Sequence, residues 1–296
     1  MMRVMAAILL DGEAIAKKIY GSLAQELKRL PRPPRLFALV VGAPAPATRI
    51  FLERKKQACD NIGIAFRLTQ IPATGSRTVL AKRVRESITG ARADGIIIQL
   101  PLPGPFRKNP HALLRLIPEE KDADCLTEKW LGRMQSGRMT IVIKGRPATL
   151  IAPVAGAVEK FLAELRVNPA GKRALVIGWG ELVGKPCAAW LLHQGATVTV
   201  VQKSEPDLAE LLSQAEIIVS GAGVSRLVAH GEFRKDAVVI DAGVSAPGGN
   251  IRGDVDVQAV ARRVFAVVPT PGGVGPVTVA VLLENVVKLA KAHLGV

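Results

Sequence analysis

The feature that most constrains this chain is its alternation of short, continuously apolar runs with longer stretches of helical periodicity. Leu36 to Val41 reads as a buried strand, and Gly95 to Leu100 is an apolar strand closed by Pro101 and Pro103. Between them lie a helix from about Thr48 to Ile62, a strand near Phe66 to Gln70 and a basic helix from about Arg77 to Thr89. A further helix precedes them, from about Glu13 to Leu30, with Ile15, Ile19, Leu23 and Leu27 on one face and Pro31 as its stop. Strands and helices in alternation imply a mostly parallel sheet joined by right-handed crossovers.

The second half repeats the alternation after a linking region from about Leu131 to Thr149. A helix near Ala155 to Leu165 is followed by a strand from Ala174 to Gly178, a glycine-rich turn and a helix from Gly184 to Gln194. Thr197 to Val201, Ile217 to Ser220, Val238 to Asp241 and Val264 to Val268 supply further strands. The run from Thr278 to Leu294 closes the chain as a helix with Val279, Leu282, Val286 and Leu289 on one face. With 296 residues, the length suggests about two domains, so the expected fold is two-domain α/β with a Rossmann-like, doubly wound second half.

Composition narrows the class. Cys59, Cys125 and Cys187 are odd in number and far apart, which argues against a disulfide framework or a zinc site and for a reducing cytoplasm. No run of some 18 apolar residues exists, so no membrane span is expected, and Val4 to Leu10 reads as a leading segment running into Asp11-Gly12. The net charge of +15 reads as a solvated basic surface or as a field that favours anionic ligands, but only 4% of residues are aromatic and no basic stripe is interleaved with them. Nucleic acid is therefore not an expected partner.

In open parallel sheets ligands sit outside the carboxyl ends of the strands. Three loops of the first half stand out there. After Val41-Gly42, Thr48 opens a helix on which Phe51 and Lys55 share a face, making Lys55 a candidate catalytic cation; taken alone it reads equally as a surface lysine in a basic run. Gln99 ends its strand before Leu100-Pro101-Leu102-Pro103, and its amide can orient both a lysine and a heterocycle or simply satisfy loop backbone. Lys121-Asp122-Ala123-Asp124 offers a carboxylate for an amidine edge, or a capped turn.

In the second half, Gly178-Trp179-Gly180-Glu181-Leu182-Val183-Gly184 joins a strand to a helix, the context of a dinucleotide-binding turn, with a spacing one residue longer than the usual fingerprint. Where an NAD-preferring enzyme often places an acid, the next strand is followed by Gln202-Lys203, better suited to a phosphate. Before the last helix, Pro269-Thr270-Pro271-Gly272-Gly273-Val274-Gly275-Pro276 forms a rigid loop that lets a ligand approach the backbone.

Together these motifs resemble the bifunctional methylenetetrahydrofolate dehydrogenase/cyclohydrolase family over nearly the whole chain. The resemblance rests on Val41-Gly42 with Pro46-Ala47-Thr48, Lys55 before Ala58-Cys59, Gln99 to Pro103, Lys121 to Asp124, and Pro271 to Pro276 with Thr278. It implies a catalytic, folate-binding domain over residues 1–140 closed by a C-terminal helix over 277–296, an NAD(P)-binding domain over 141–276, and a cytoplasmic homodimer working in one-carbon metabolism. Its substrate would be a tetrahydrofolate derivative and its cofactor NADP, with NAD as the alternative. Lys55 would occupy the catalytic lysine position, Gln99 would hold it and Asp124 would anchor the pterin. Thr48, Phe51, Leu100, Pro271, Gly272 and Gly275 would line the substrate, and Gly178, Trp179, Gly180, Val183, Gly184, Lys203, Val244 and Thr278 the cofactor. No metal is implied.

Several positions depart from the family pattern. Its active-site tyrosine is here Phe51, which keeps the ring and loses the hydroxyl; Cys125 stands at a glycine position, where a side chain can crowd the pterin. Trp179-Gly180 and Gln202-Lys203 replace the Arg-Ser and His-Ser that meet the cofactor phosphate, and Ile151-Ala152-Pro153 replaces Cys-Thr-Pro. Phe51, Cys125 and Trp179 leave open a second reading, a non-catalytic paralogue that binds folate or nucleotide.

Overall fold

A computed structural model of the chain describes residues 7–245 and 251–296. Val4, Met5 and Ala6 of the leading segment lie outside the described residues. The chain forms two compact units, one of Lys18–Pro153 with Val279–Val296, the other of Met1–Lys17 with Val154–Thr278. In chain order the elements begin with strand β1 (Ile8–Leu9) and helix α1 (Gly12–Leu27).

The first unit is built on β2 (Arg35–Val41), α2 (Pro46–Ile62), β3 (Ala65–Ile71), α3 (Arg77–Thr89) and β4 (Gly95–Ile98). The three strands form a parallel sheet in the order β3-β2-β4. After Arg35 every residue of the central strand is buried, the pattern of a strand covered on both faces. Pro46 starts α2 at a position where a missing N–H costs nothing, and Gly63 at φ 86° ends it in the left-handed conformation that favours glycine. Ser76 caps α3 by accepting from Val79 N–H, and its buried Leu80, Val84 and Ile88 recur every four residues.

Beyond β4 come the short α4 (His111–Leu114), then α5 (Glu128–Gln135) and a hairpin of β5 (Thr140–Ile143) with β6 (Arg146–Thr149). The region from Leu131 to Thr149, expected to be a linker, therefore holds half a helix and a hairpin. The elements are short, and their signals are weak. Thr127 caps α5, whose buried residues are Trp130 and Met134, and the hairpin turns at Lys144-Gly145, both at positive φ (49° and 78°) without the usual Asn-Gly pair.

The second unit contains α6 (Pro153–Glu164), β7 (Arg173–Ile177), α7 (Gly184–His193), β8 (Thr197–Val201), α8 (Leu208–Gln214), β9 (Ile217–Ser220), β10 (Val238–Asp241), α9 (Val257–Val260) and β11 (Ala266–Val268). With β1 at its edge, the all-parallel sheet runs β1-β11-β10-β9-β7-β8. Strand order reverses at β7, whose neighbours are β8 on one side and β9 on the other; such a switch point parts the following loops and opens a crevice at the carboxyl edge. The fold is the expected two-domain α/β with a doubly wound parallel sheet.

The last helix, α10 (Val274–Leu294), begins four residues before the expected Thr278. Gly275 and Thr278 are thus helical, and the loop before it ends at Gly273; likewise β4 stops at Ile98, and β11 starts at Ala266. Along the part of α10 in the first unit, Val279 to Leu283, Val286, Val287, Leu289 and Ala290 are buried, and a Cβ on Gly95 of β4 would fall 2.9 Å from Val286 Cγ2. One amide interrupts that surface. Asn285, with no exposure, donates through Nδ2 to the carbonyls of Ala123 (2.9 Å) and Ile151 (2.7 Å) and accepts from Ile151 N–H at 3.3 Å. Asn285→Ala would strand these backbone groups in the core, and the expected loss is about 2–4 kcal/mol in urea unfolding.

Candidate active site

Helix α2 projects Phe51 and Lys55 from adjacent turns, both partly buried. Lys55 Nζ donates to Gln99 Oε1 at 3.0 Å, and Gln99 Nε2 donates to the Leu100 carbonyl at 2.9 Å. Gln99 serves both the loop and the lysine on different atoms: its NH₂ satisfies the loop, and its oxygen faces the lysine. Gln99 N–H also continues the ladder to Leu39 O at 2.9 Å, so the amide is fixed at both ends. The peptide bond from Leu100 to Pro101 is cis.

Burial lowers the Lys55 pKa, opposed by the negative charge of Asp124. The same burial raises Asp124, opposed by the charge of Lys55. Lys55, Gln99 and Asp124 therefore form one electrostatic group, with Thr48, Phe51 and Leu100 in the same unit, all of them partly buried.

The Lys121 to Asp124 run divides its carboxylates between two tasks. Asp122, with no exposure, accepts from Thr127 N–H at 2.7 Å and so closes the turn; burial and the nearby Asp124 charge push it up to about 7. Asp124 is left to face Lys55 electrostatically. Cys125 follows at φ 56°, a left-handed conformation costly to a side chain. Its thiol is buried 4.0 Å from Asn285 Nδ2, and burial raises its pKa well above the ordinary value.

In the other unit, Gly178 (φ 94°) turns the chain out of β7, and Gly184 begins α7. A Cβ on Gly184 would fall 1.9 Å from Gly178 O, and one on Gly178 would fall 2.8 Å from Gly221 O. The turn is closed on backbone alone and leads into a helix N-terminus, which fits the pyrophosphate of a dinucleotide. Trp179, Gly180 and Val244 are exposed and Val183 is partly buried. Lys185 pairs with Glu181 within the turn, whereas Lys203, after β8, is exposed. Pro271 is exposed and joined to Thr270 by a cis bond; Gly272 O accepts from Gly12 N–H at 2.9 Å. Thr278 Oγ1 donates to Val274 O at 2.9 Å within α10. Among the described residues no group of His, Cys, Asp and Glu could hold a metal ion.

Fold and turns define a two-unit α/β protein with a dinucleotide-binding half. Residues 10–124 match the tetrahydrofolate dehydrogenase/cyclohydrolase catalytic domain, and residues 152–294 match the NAD(P)-binding domain of the same name. A bifunctional protein FolD of Acidithiobacillus ferrooxidans is 36% identical over 98% of this chain and 99% of its own. Among solved structures, FolD of Trypanosoma brucei, complexed with NADP cofactor and inhibitor, is 31% identical, with a TM-score of 0.84 over 97% of this chain and 98% of that one. The Campylobacter jejuni enzyme is 32% identical, with a TM-score of 0.83 over 97% and 99%. The chain belongs to the tetrahydrofolate dehydrogenase/cyclohydrolase family.

The sequence singled out Asp122 only as part of a possible capped turn, and it passed over Asn285, Asp241 and Asp254 as working residues. All four are wholly buried polar groups. Asp241 closes an apolar strand and Asn285 interrupts an apolar helix face, and a lone polar residue in such a place is the signal that was available. Asp241, like Asp122, is raised to about 7, by burial and by the Asp254 charge. A carboxyl whose folded pKa lies above its unfolded value keeps a proton that the unfolded chain releases, so stability falls as pH rises from about 4 to about 7 and is level beyond. Asp122→Asn cannot ionise there and still accepts from Thr127. Its stability relative to the wild type is expected to improve between pH 5 and pH 8, as read from urea midpoints.

Proposed function

We propose that this chain oxidises methylene-tetrahydrofolate to methenyl-tetrahydrofolate with NADP and hydrolyses the product to formyl-tetrahydrofolate. The observation that carries this reading is the 3.0 Å hydrogen bond from Lys55 to Gln99, with Asp124 acting on the same lysine. A bound nicotinamide would supply the hydride acceptor for the methylene carbon, and the chain's part in that step would be alignment more than a side-chain base. Gly178 and Gly184, with the start of α7, would hold the pyrophosphate. The exposed Lys203 would favour the additional phosphate of NADP, since Lys185 is already paired with Glu181. Trp179, Gly180, Val183, Val244 and Thr278 would complete that site.

In the hydrolytic step Lys55 would assist proton transfer from the attacking water. Its lowered pKa enlarges the fraction able to accept a proton near neutral pH, and Gln99 holds the amine in place. Asp124 would anchor the pterin, with Thr48, Phe51 and Leu100 of the same unit as further substrate contacts. The protein would act as a homodimer in the cytoplasm and supply formyl units to purine biosynthesis. A non-catalytic paralogue draws only on Phe51, Cys125 and Trp179, and none of these displaces Lys55 from Gln99.

The test is purified protein with methylene-tetrahydrofolate and NADP or NAD, followed at the nicotinamide and methenyl absorbances. Lys55→Met is expected to abolish methenyl hydrolysis in a folded protein; unchanged hydrolysis would remove Lys55 from the mechanism. Phe51→Tyr adds a donor and acceptor one helical turn from Lys55 and is expected to raise hydrolysis roughly tenfold, less than a full general acid or base contributes. Dehydrogenase turnover should change little. If wild type and Phe51→Tyr are both inert in each reaction yet bind folate by calorimetry, the non-catalytic reading replaces this one.

A further inference from the structure

The loops at the carboxyl edge of the six-stranded sheet hang on two buried carboxylates. Asp254 Oδ2 accepts from Ser220 Oγ (2.8 Å), Ala222 N–H (2.7 Å) and Gly223 N–H (3.2 Å), and its Oδ1 accepts from Val224 N–H (2.8 Å). Its own N–H donates to Asp241 Oδ1 at 3.0 Å, an oxygen that also accepts from Gly243 N–H at 3.1 Å, while Asp241 Oδ2 accepts from Val255 N–H at 3.0 Å. Thr270 Oγ1 donates to the Asp241 carbonyl at 2.6 Å. The loops after β9 and β10 are thereby joined to one pair of side chains, and the loop after β11 to the main-chain carbonyl of Asp241.

Two glycines make room for the pair. A Cβ on Gly243 would fall 2.0 Å from Asp254 Cγ, and one on Gly253 would fall 1.8 Å from Asp241 Oδ2. The segment clamped by Asp254 also reaches the dinucleotide turn, because Gly178 has no room for a Cβ against Gly221 O, and a Cβ on Gly221 would fall 2.4 Å from Val183 Cγ1. β7 and β9 flank the switch point of the sheet, where a dinucleotide crosses the strand ends. A carboxylate that takes several backbone N–H groups can fix a loop more sharply than packing does, since each donor left unmade in the interior costs free energy.

We propose that Asp254, supported by Asp241, is a positioning residue for NADP, setting the backbone of residues 221–224 and 243–244 against the Gly178 turn. Neither carboxylate touches the reacting atoms; they act through the loops they hold. The proposal rests on the NADP-dependent reading above and adds residues that reading does not use.

Asp254→Asn puts an amide donor among N–H groups that now meet an oxygen. Ser220→Ala is the milder variant and removes a single hydroxyl donor while leaving the carboxylate. Steady-state kinetics with NADP and methylene-tetrahydrofolate, and NADP titration by fluorescence, are run on both, with methenyl hydrolysis on the same preparations as a gauge of folded protein. The expected result is a KM and Kd for NADP raised about tenfold or more in Asp254→Asn and about threefold in Ser220→Ala. In both, kcat at saturating NADP and the KM for the folate should stay within about twofold. A purely structural role would instead lower kcat and hydrolysis together and leave the KM for NADP unchanged, and that outcome overturns the proposal. If Asp254→Asn does not fold, Ser220→Ala decides alone: an unshifted KM and Kd for NADP overturns it. Wild-type protein that neither binds nor reduces NADP would sink the functional reading and this proposal together; intact wild-type turnover with unshifted variants sinks this proposal alone.

Discussion

Burial of both faces of the central strands of the two parallel sheets is the constraint on which the rest depends. Leu36 to Val41, Ile217 to Val219 and Val238 to Ile240 are apolar and buried throughout, so in these strands polar side chains enter only at the strand ends. There Gln99, Ser220 and Asp241 appear, each the first polar side chain after an apolar run. A polar group at such an edge must find partners from the loop that follows, because leaving it unpaired in the interior is costly. The same requirement that organises these loops also makes them suited to hold a ligand.

The structure uses carboxylates in two different ways at these edges. Asp124 and Lys55 are oppositely charged groups that burial drives toward neutrality and mutual attraction holds back from it. Such a balance leaves protons mobile, which suits a site of proton transfer. Asp254 instead accepts from backbone and hydroxyl donors that the fold holds in place. That arrangement holds a shape.

Much of this was legible in the sequence, because long buried runs and long amphipathic helices announce themselves. β8, β9, β10 and α3 have the bounds their patterns imply, and Lys55 and Gln99, both singled out in the sequence, are hydrogen-bonded. What escaped was short or cooperative. The helix α5 and the hairpin at Lys144-Gly145 carry too few residues for a clear period, and α10 starts early because Val274 to Val277 continues a helix through glycine and proline at its first turn, where both are tolerated. Asp241 and Asp254 lie far apart in sequence, and neither has a motif of its own; their function arises only from the contacts that folding brings about.

Cys125 shows how the same logic tolerates a departure from the family. A non-glycine residue at φ 56° costs roughly 1–2 kcal/mol. The conformation is held from both sides: Asp122 ties down Thr127 two residues later, and Asn285 ties down the Ala123 carbonyl two residues earlier. Its side chain lies against Asn285 within its own unit, on the helix that closes the core there. Because the loop is fixed by its neighbours, the strain at Cys125 is absorbed locally while Asp124, the residue between these anchors, remains coupled to Lys55. The replacement of glycine is therefore compatible with a working electrostatic group, and it shifts the weight of the question about activity from Cys125 to the missing hydroxyl at Phe51.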